Sequence, residues 1–248
     1  GGDRNAIPIY TFPNAHVVHH FIAEMPLRIS AMRALGAYHN VFSIESFMDE
    51  LATAAGADPV EFRLKHLDDP RGRDVIAKAA QEFGWTRDQR AAPGRGFGFA
   101  FARYKNLAAY CAIACEVEVN RETGRARLVR AIAAVDSGQV VNPDGLTNQI
   151  EGAIMQSMSW TLYESVSFDE RRITSIDWQT YPILRFSAVP DDIAVHIINR
   201  PGQPFLGSGE TGQGPAAASI ANAIVNATGK RLRNLPLTRK RIKDAIDA

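Results

Sequence analysis

Arg95-Gly-Phe-Gly-Phe-Ala-Phe-Ala102 alternates small residues with phenylalanines. Successive side chains of an extended chain point to opposite faces, so this period of two predicts a glycine-rich strand with its aromatic rings on one side. The run also matches the first five positions of the aromatic octapeptide of RNA-recognition strands, but it departs at the sixth and eighth. That motif needs a partner strand upstream, and the upstream sequence reads as helix.

The strand pattern continues downstream. Cys111-Ala-Ile-Ala-Cys-Glu-Val-Glu-Val119 and Arg127-Leu-Val-Arg-Ala-Ile-Ala-Ala-Val-Asp136 are joined through Asn120-Arg-Glu-Thr-Gly124, a hairpin loop with glycine near the position that favours positive φ. Upstream, Val41, Ile44, Phe47, Met48, Leu51 and Ala55 recur at helical spacing, with Glu45, Asp49 and Glu50 on other faces. Asp58-Pro59 with Glu61 opens a second helix, and a third runs from about Arg73 to Phe83 and stops at Gly84. The polar run Thr86 to Gly96 then places a boundary between a helix-rich part, 1–90, and an α+β part, 91–248. Helices are expected at Gln149–Trp160, Pro215–Ala227 and Leu237–Ile246, a short hairpin at Ser165–Ile173 and a strand at Ala194–Ile198. Tyr10 to Met25 reads as extended. Strands mixed with non-alternating helices indicate an α+β fold, with mixed sheets and packed helices, rather than a wound parallel sheet.

Composition narrows the function. The 248 residues are 46% hydrophobic and 22% charged, a globular balance that excludes disorder and collagen. Lys and Arg number 28 against 27 acids, a formal charge of +1 that argues against a nucleic-acid-binding protein. Cys111 and Cys115 share one strand face but lie roughly 13 Å apart at about 3.3 Å per residue, too far for a disulfide. No run reaches the roughly 18 apolar residues of a membrane span, and the N-terminal residues lack a charged head before an apolar core. The expectation is a soluble protein, with cytoplasm and periplasm both open.

Gly207-Ser-Gly-Glu-Thr-Gly-Gln-Gly214 satisfies the dinucleotide pattern G-x-G-x-x-G in its first six residues. That reading needs a strand directly before and an acid about 20 residues on. Arg200-Pro-Gly-Gln-Pro204 intervenes, and no strand with a terminal acid follows. What remains is a glycine-rich turn carrying one carboxylate, Glu210, at a helix start. Such a turn lets backbone N–H groups approach a bulky ligand, and the helix field favours an ionised base. A plain cap on the helix is the competing reading. His16, His19 and His20 have no acid or thiol nearby to complete a metal set, and the cluster from Lys230 to Lys243 reads as a solvated helix face.

Three segments together resemble the molybdenum-binding subunit of the xanthine dehydrogenase and aldehyde oxidase family, and the nearest branch is that of the isoquinoline 1-oxidoreductase beta-subunit. They are Pro26 to Asn40 (PLRISAMRALGAYHN) with the helices that follow, Ala134 to Pro143 (AVDSGQVVNP) leading into NQIEGAIMQSMSW, and Gly207 to Ala221. The resemblance implies that Glu210 is the catalytic base, with Gln149 a polar contact to a molybdopterin-type molybdenum cofactor. Met32, Arg33 and Ala34 match the backbone stretch against its dithiolene side, and Gly207, Gly209 and Gly212 match residues of packing and close approach. No metal ligand is implied within the chain. The chemistry implied is oxidation of an N-heteroaromatic or aldehyde substrate, with water supplying the oxygen.

Met32, Ala34 and Leu35 stand where other members carry Phe and Gly, which removes an aromatic clamp there. The family's GGFGG-like and MGQG-like cofactor loops do not occur among the 248 residues. The expectation is a C-terminal portion of the large subunit, inactive alone, that shares its cofactor with an upstream portion. Its implied partners are a small subunit carrying iron–sulfur clusters and a cytochrome as a candidate acceptor, with no nucleic acid. The alternatives are a nucleotide-dependent oxidoreductase using the Gly207–Gly212 turn, or a cofactor-free interaction fragment.

Overall fold

Three antiparallel-paired segments form the frame. In the computed structural model, which describes residues 1–27, 31–87, 89 and 91–248, β1 (Arg95–Arg103), β2 (Tyr110–Asn120) and β3 (Arg125–Asp136) make a meander. Asn120 closes the β2–β3 turn by accepting the N–H groups of Glu122 and Thr123 on Oδ1, and Gly124 has φ +68°. The register slips by one residue between Glu116 and Val117. A fourth strand, β4 (Asp192–Ile197), joins β3 in parallel, so the sheet is mixed and ordered β1-β2-β3-β4. Chain connectivity is not the alternating kind, and the architecture is α+β as the sequence predicts.

Helices cover both faces. On β2, Cys111, Ile113, Cys115 and Val117 face a core built with α4 (Pro143–Leu162), α5 (Gln213–Thr228) and α6 (Arg239–Asp247). Tyr110, Ala112 and Ala114 face the other side, where α2 (Pro59–Lys65) and α3 (Pro70–Phe83) pack. Phe99 and Phe101 of β1 are wholly buried on this second side, with Phe97 against them, so these rings form core and not a stacking platform. Both cysteines are free and buried, which pushes each thiol up to about 12.

The small residues of β1 have their own reason. A Cβ on Gly98 would lie 2.0 Å from the Ser219 carbonyl oxygen, and one on Gly96 would lie 2.1 Å from that of Ala223. Both carbonyls belong to α5, which therefore lies directly on the strand backbone. The Asp58 carboxylate caps α2 with Pro59 at its first position, as expected, and Asp69 does the same for α3 with Pro70.

The helix α1 (Ala37–Ala54) corrects one expectation. Helical spacing assigns Glu45 to the polar face, yet Glu45 is 1% exposed while Phe47 is 56% exposed. Burial is tolerated because every oxygen is satisfied. Tyr10 Oη donates to Oε1 at 2.6 Å, and Arg63 Nε and the Phe101 N–H both donate to Oε2 at 2.8 Å. Arg63 is itself fully buried and also donates to Asp49. Ser165–Ile173 forms a single bridge, Phe168 with Ile173, in place of a hairpin of named strands. Among the described residues no helix is long and apolar enough to cross a membrane.

Replacing Gly98 by Ala forces α5 off β1, because the atoms a Cβ would meet, the Ser219 carbonyl oxygen and the Ala223 nitrogen, are α5 backbone and cannot rotate away. An overpacking cost of roughly 3 kcal/mol is expected. It would be read as a lower denaturant midpoint at unchanged slope, and an unaltered midpoint would contradict the close approach.

Candidate active site

The sequence-predicted residues come from three distant stretches, and folding brings them to one place. Glu210 lies in the turn before α5, whose N-cap is Gly212. Gln149 lies on α4, which starts with Pro143 and an Asn142 cap donated to by the Gly145 N–H at 2.9 Å. Arg33 and Ala34 lie in the strap leading into α1, where Ala34 and Leu35 have φ of 74° and 52°. The stretch Arg28 to Ser30, part of the Pro26–Asn40 segment, lies outside the described residues.

The carbonyl of Gly209 is the junction. It accepts Arg33 Nε at 2.8 Å and Gln149 Nε2 at 2.8 Å. Arg33 also donates to the Gln149 carbonyl and to Gln156 Oε1, each at 3.2 Å. One residue on, Glu210 Oε1 accepts the Ala34 N–H at 2.9 Å. Met32 contributes backbone only: its carbonyl accepts the Leu35 N–H at 3.0 Å, and its side chain is half exposed.

The glycines divide. A Cβ on Gly212 would lie 2.9 Å from the Ala153 Cβ of α4, so that glycine serves packing. Gly207 and Gly209 have nothing within 4 Å of a built Cβ. A side chain at either position would enter open space beside the turn. Next to Gly209 opens a cleft of about 340 Å³ lined by Ser137, Asn142, Gln149, Phe205 and Ser208 among others. No strand directly precedes Gly207, since β4 ends at Ile197, so the turn lacks the strand that a dinucleotide fold requires.

Electrostatics favour an ionised Glu210. Burial raises its proton affinity, but the Tyr104 hydroxyl, the Ala34 N–H and the charges of Arg4 and Lys105 outweigh it and hold the carboxyl below the ordinary glutamate value. Arg33 is shifted down by burial, partly offset by Glu210, and all three of its nitrogens donate to neutral oxygens.

Residues 44–190 match the profile of the molybdopterin cofactor-binding domain, and residues 4–67 match a second profile of the same description. The chain belongs to the molybdopterin cofactor-binding domain family. It is 43% identical over 99% of its length to a nicotinate dehydrogenase subunit of Pseudomonas putida, and 36% identical over 83% of its length to the beta-subunit of isoquinoline 1-oxidoreductase of Brevundimonas diminuta. It spans about a quarter of these curated relatives, 22% and 26% of their lengths. Quinoline 2-oxidoreductase from Pseudomonas putida 86 shares the fold at a TM-score of 0.78 and 14% identity, over 88% of this chain and 53% of that one. Aldehyde oxidoreductase from Desulfovibrio gigas does so at 0.75 and 16%, over 88% and 42%. These matches support the resemblance to the molybdenum-binding subunit of the xanthine dehydrogenase and aldehyde oxidase family.

Within this cofactor-binding fold, several residues at the site carry no signal that sequence reasoning recognised. Tyr104, directly after β1, donates to Glu210, and Arg4 of the N-terminal segment lies 4.0 Å from its carboxylate. Gln213 is fully buried, donates to Gln156 at 2.8 Å and leaves its Oε1 without a partner among the described residues. Asp136, at the end of β3, is fully buried and tethers the connection that leads to the Glu210 turn. It accepts Arg71 Nε at 2.9 Å, Arg200 Nε at 3.0 Å and the Gly138 N–H at 2.9 Å. Burial raises its proton affinity, yet these donors together hold it below the ordinary value of 3.8.

Because its folded value is depressed, Asp136 stabilises fully above its unfolded value, and that stability is lost as pH falls through the folded one. The Asp136→Asn variant is expected to be roughly 2 kcal/mol less stable at neutral pH. It should also decline less steeply between about pH 5 and pH 2. Denaturation series at several pH values check both, and parallel curves for the two proteins would refute the assignment.

Proposed function

We propose that this chain supplies Glu210 as the proton-accepting residue of a molybdenum hydroxylase. Gln149, Met32, Arg33, Ala34, Gly207, Gly209 and Gly212 would line the site of its molybdopterin-type cofactor. The observation that carries the reading is the junction at Gly209 and Glu210, where one carbonyl and one carboxylate of the third stretch collect donors from the other two.

The residues present fit such a group. Gly207 and Gly209 leave open space beside the turn, into which a Cβ would project. The surrounding donors and acceptors are amides, hydroxyls and backbone, which suit a polar ring system with several hydrogen-bonding edges. Among the described residues no three His, Cys, Asp or Glu side chains gather, so a metal here would arrive with ligands of its own. When bound, the molybdenum cofactor supplies the two-electron acceptor for oxidation of a substrate carbon with oxygen drawn from water.

The chain's own work is then positional and proton-transferring. Arg33 and Gln149 pin the Gly209 carbonyl and so orient the next residue. The Ala34 N–H fixes the carboxylate without neutralising it, which leaves Glu210 ionised and able to take a proton. Gly212 lets the turn sit down on α4, while Gly207 and Gly209 keep the approach open. Substrates of the N-heteroaromatic or aldehyde class fit the resemblance to the nicotinate, isoquinoline and aldehyde enzymes. In this reading residues 1–90 and 91–248 are two parts of one cofactor-binding region. The remainder of the large subunit completes it, and a small iron–sulfur subunit and a cytochrome carry electrons away.

The test is Glu210→Gln in the complete, cofactor-loaded enzyme. The rate should fall by at least about 100-fold with unchanged molybdenum content. Turnover at the native rate would remove Glu210 as the base.

A further inference from the structure

Glu210 is gripped from a second direction. Tyr104 opens a single 3-10 turn, Tyr104–Asn106, directly after β1. Lys105 and Asn106 have φ of 59° and 56°, a left-handed conformation that residues other than glycine enter at a cost. Asn5 holds them in it. Its Oδ1 accepts the Lys105 N–H at 2.7 Å, and its Nδ2 donates to the Arg103 carbonyl at 2.9 Å and to Asn106 Oδ1 at 3.0 Å. Asn106 in turn donates to the Ile7 carbonyl at 2.9 Å. A strained turn is thus over-determined by the N-terminal segment, and its product is one phenol aimed at one carboxylate.

The direction of that contact is fixed. Arg4 Nη1 lies 2.8 Å from the Tyr104 hydroxyl, and the Arg4 backbone carbonyl is held by Asn40 Nδ2 at 2.9 Å. A guanidinium only donates, so the phenolic oxygen accepts from Arg4 and its single proton goes to Glu210 Oε2. Chains of this kind polarise one another, and each donor strengthens the next. On the other oxygen, Oε1, the Ala34 N–H is the one partner among the described residues, so an acceptor position is left there.

We propose that Tyr104 is a positioning residue for Glu210, and that Arg4 orients its proton so that Oε2 stays bound while Oε1 keeps a lone pair for the proton taken in the reaction. This rests on the reading of Glu210 as the base. The charged and titratable groups facing the carboxylate are Tyr104 and Lys105 from the turn, Arg4 from the N-terminal segment and Arg33 from the strap. Helix α4 brings only the neutral Gln149 to the adjoining carbonyl. Tyr104 itself stays protonated, burial and the Glu210 contact pushing it up to about 12. Its loss leaves Glu210 with weaker stabilisation of the charged form.

The experiment uses the complete, cofactor-loaded enzyme. The infrared difference between native protein and Glu210→Gln isolates the Glu210 carboxylate, which is then titrated. In Tyr104→Phe, which keeps the ring and removes only the hydroxyl, the titration midpoint should rise by about one pH unit, and the acid limb of kcat/KM should move up with it. Arg4→Gln should shift both in the same direction by less, and it carries the test by itself if Tyr104→Phe does not fold. An unmoved midpoint and acid limb in a folded variant would overturn the positioning role. A Glu210→Gln enzyme that keeps its rate would overturn the base assignment instead, whether or not the Tyr104→Phe titration moves.

Discussion

The closeness of α5 to β1 governs the rest of this structure. A helix axis ordinarily stands off a sheet by the depth of its side chains, but Gly96 and Gly98 remove that depth on the strand. The α5 carbonyls come within 2.0–2.1 Å of where β carbons would be. The consequence is directional: α5 is seated on two strand residues, and its N-terminal turn, with Glu210, projects over the point where α4 and the strap before α1 also arrive. Gly214 repeats the device against α1, since a Cβ there would lie 2.6 Å from Val41 Cβ. Absent side chains seat the helix, and Arg33, Gln149 and Tyr104 then hold the turn and its carboxylate.

The Glu45–Arg63 pair is a second constraint of a different kind. A buried ion pair is no assurance of stability, because desolvating both charges offsets most of their attraction. Its role here is to complete hydrogen bonding at a strand edge. Glu45 takes the Phe101 N–H, Asn222 donates to the Phe99 carbonyl at 3.0 Å, Asn226 accepts the Phe97 N–H at 3.0 Å, and Asn5 donates to the Arg103 carbonyl. Side chains from three separate stretches do what a neighbouring strand would otherwise do.

Much of the fold is legible in the sequence because it is local. Alternation marks the meander, Asp58-Pro59 marks the start of α2, and the run after Gly212 marks α5. The grouping of three segments as parts of one site comes from resemblance, and the geometry brings Arg33, Gln149 and Glu210 within hydrogen-bonding reach of one turn. What local reading misses shares a cause. Glu45 sits at a spacing that helical periodicity assigns to solvent, and only Arg63 and β1, brought in by the tertiary fold, reverse that. Tyr104 and Arg4 are 100 residues apart, and nothing in either neighbourhood marks them as partners. At Gly207 and Gly209, matched to packing and close approach, a Cβ would enter open space, with no atom of the described residues within 4 Å of it.

The blocked edge of β1 bears on self-association. Edge-to-edge stacking of sheets into open-ended fibres needs two free rims per molecule, one to receive and one to offer. Here β1 and β4 are the two edges, and Glu45, Asn222, Asn226 and Asn5 take up backbone groups of Phe97, Phe99, Phe101 and Arg103 along the β1 rim. An incoming strand at β1 would have to displace these side chains before it found donors and acceptors to pair with, so the rim resists edge-to-edge addition from that side.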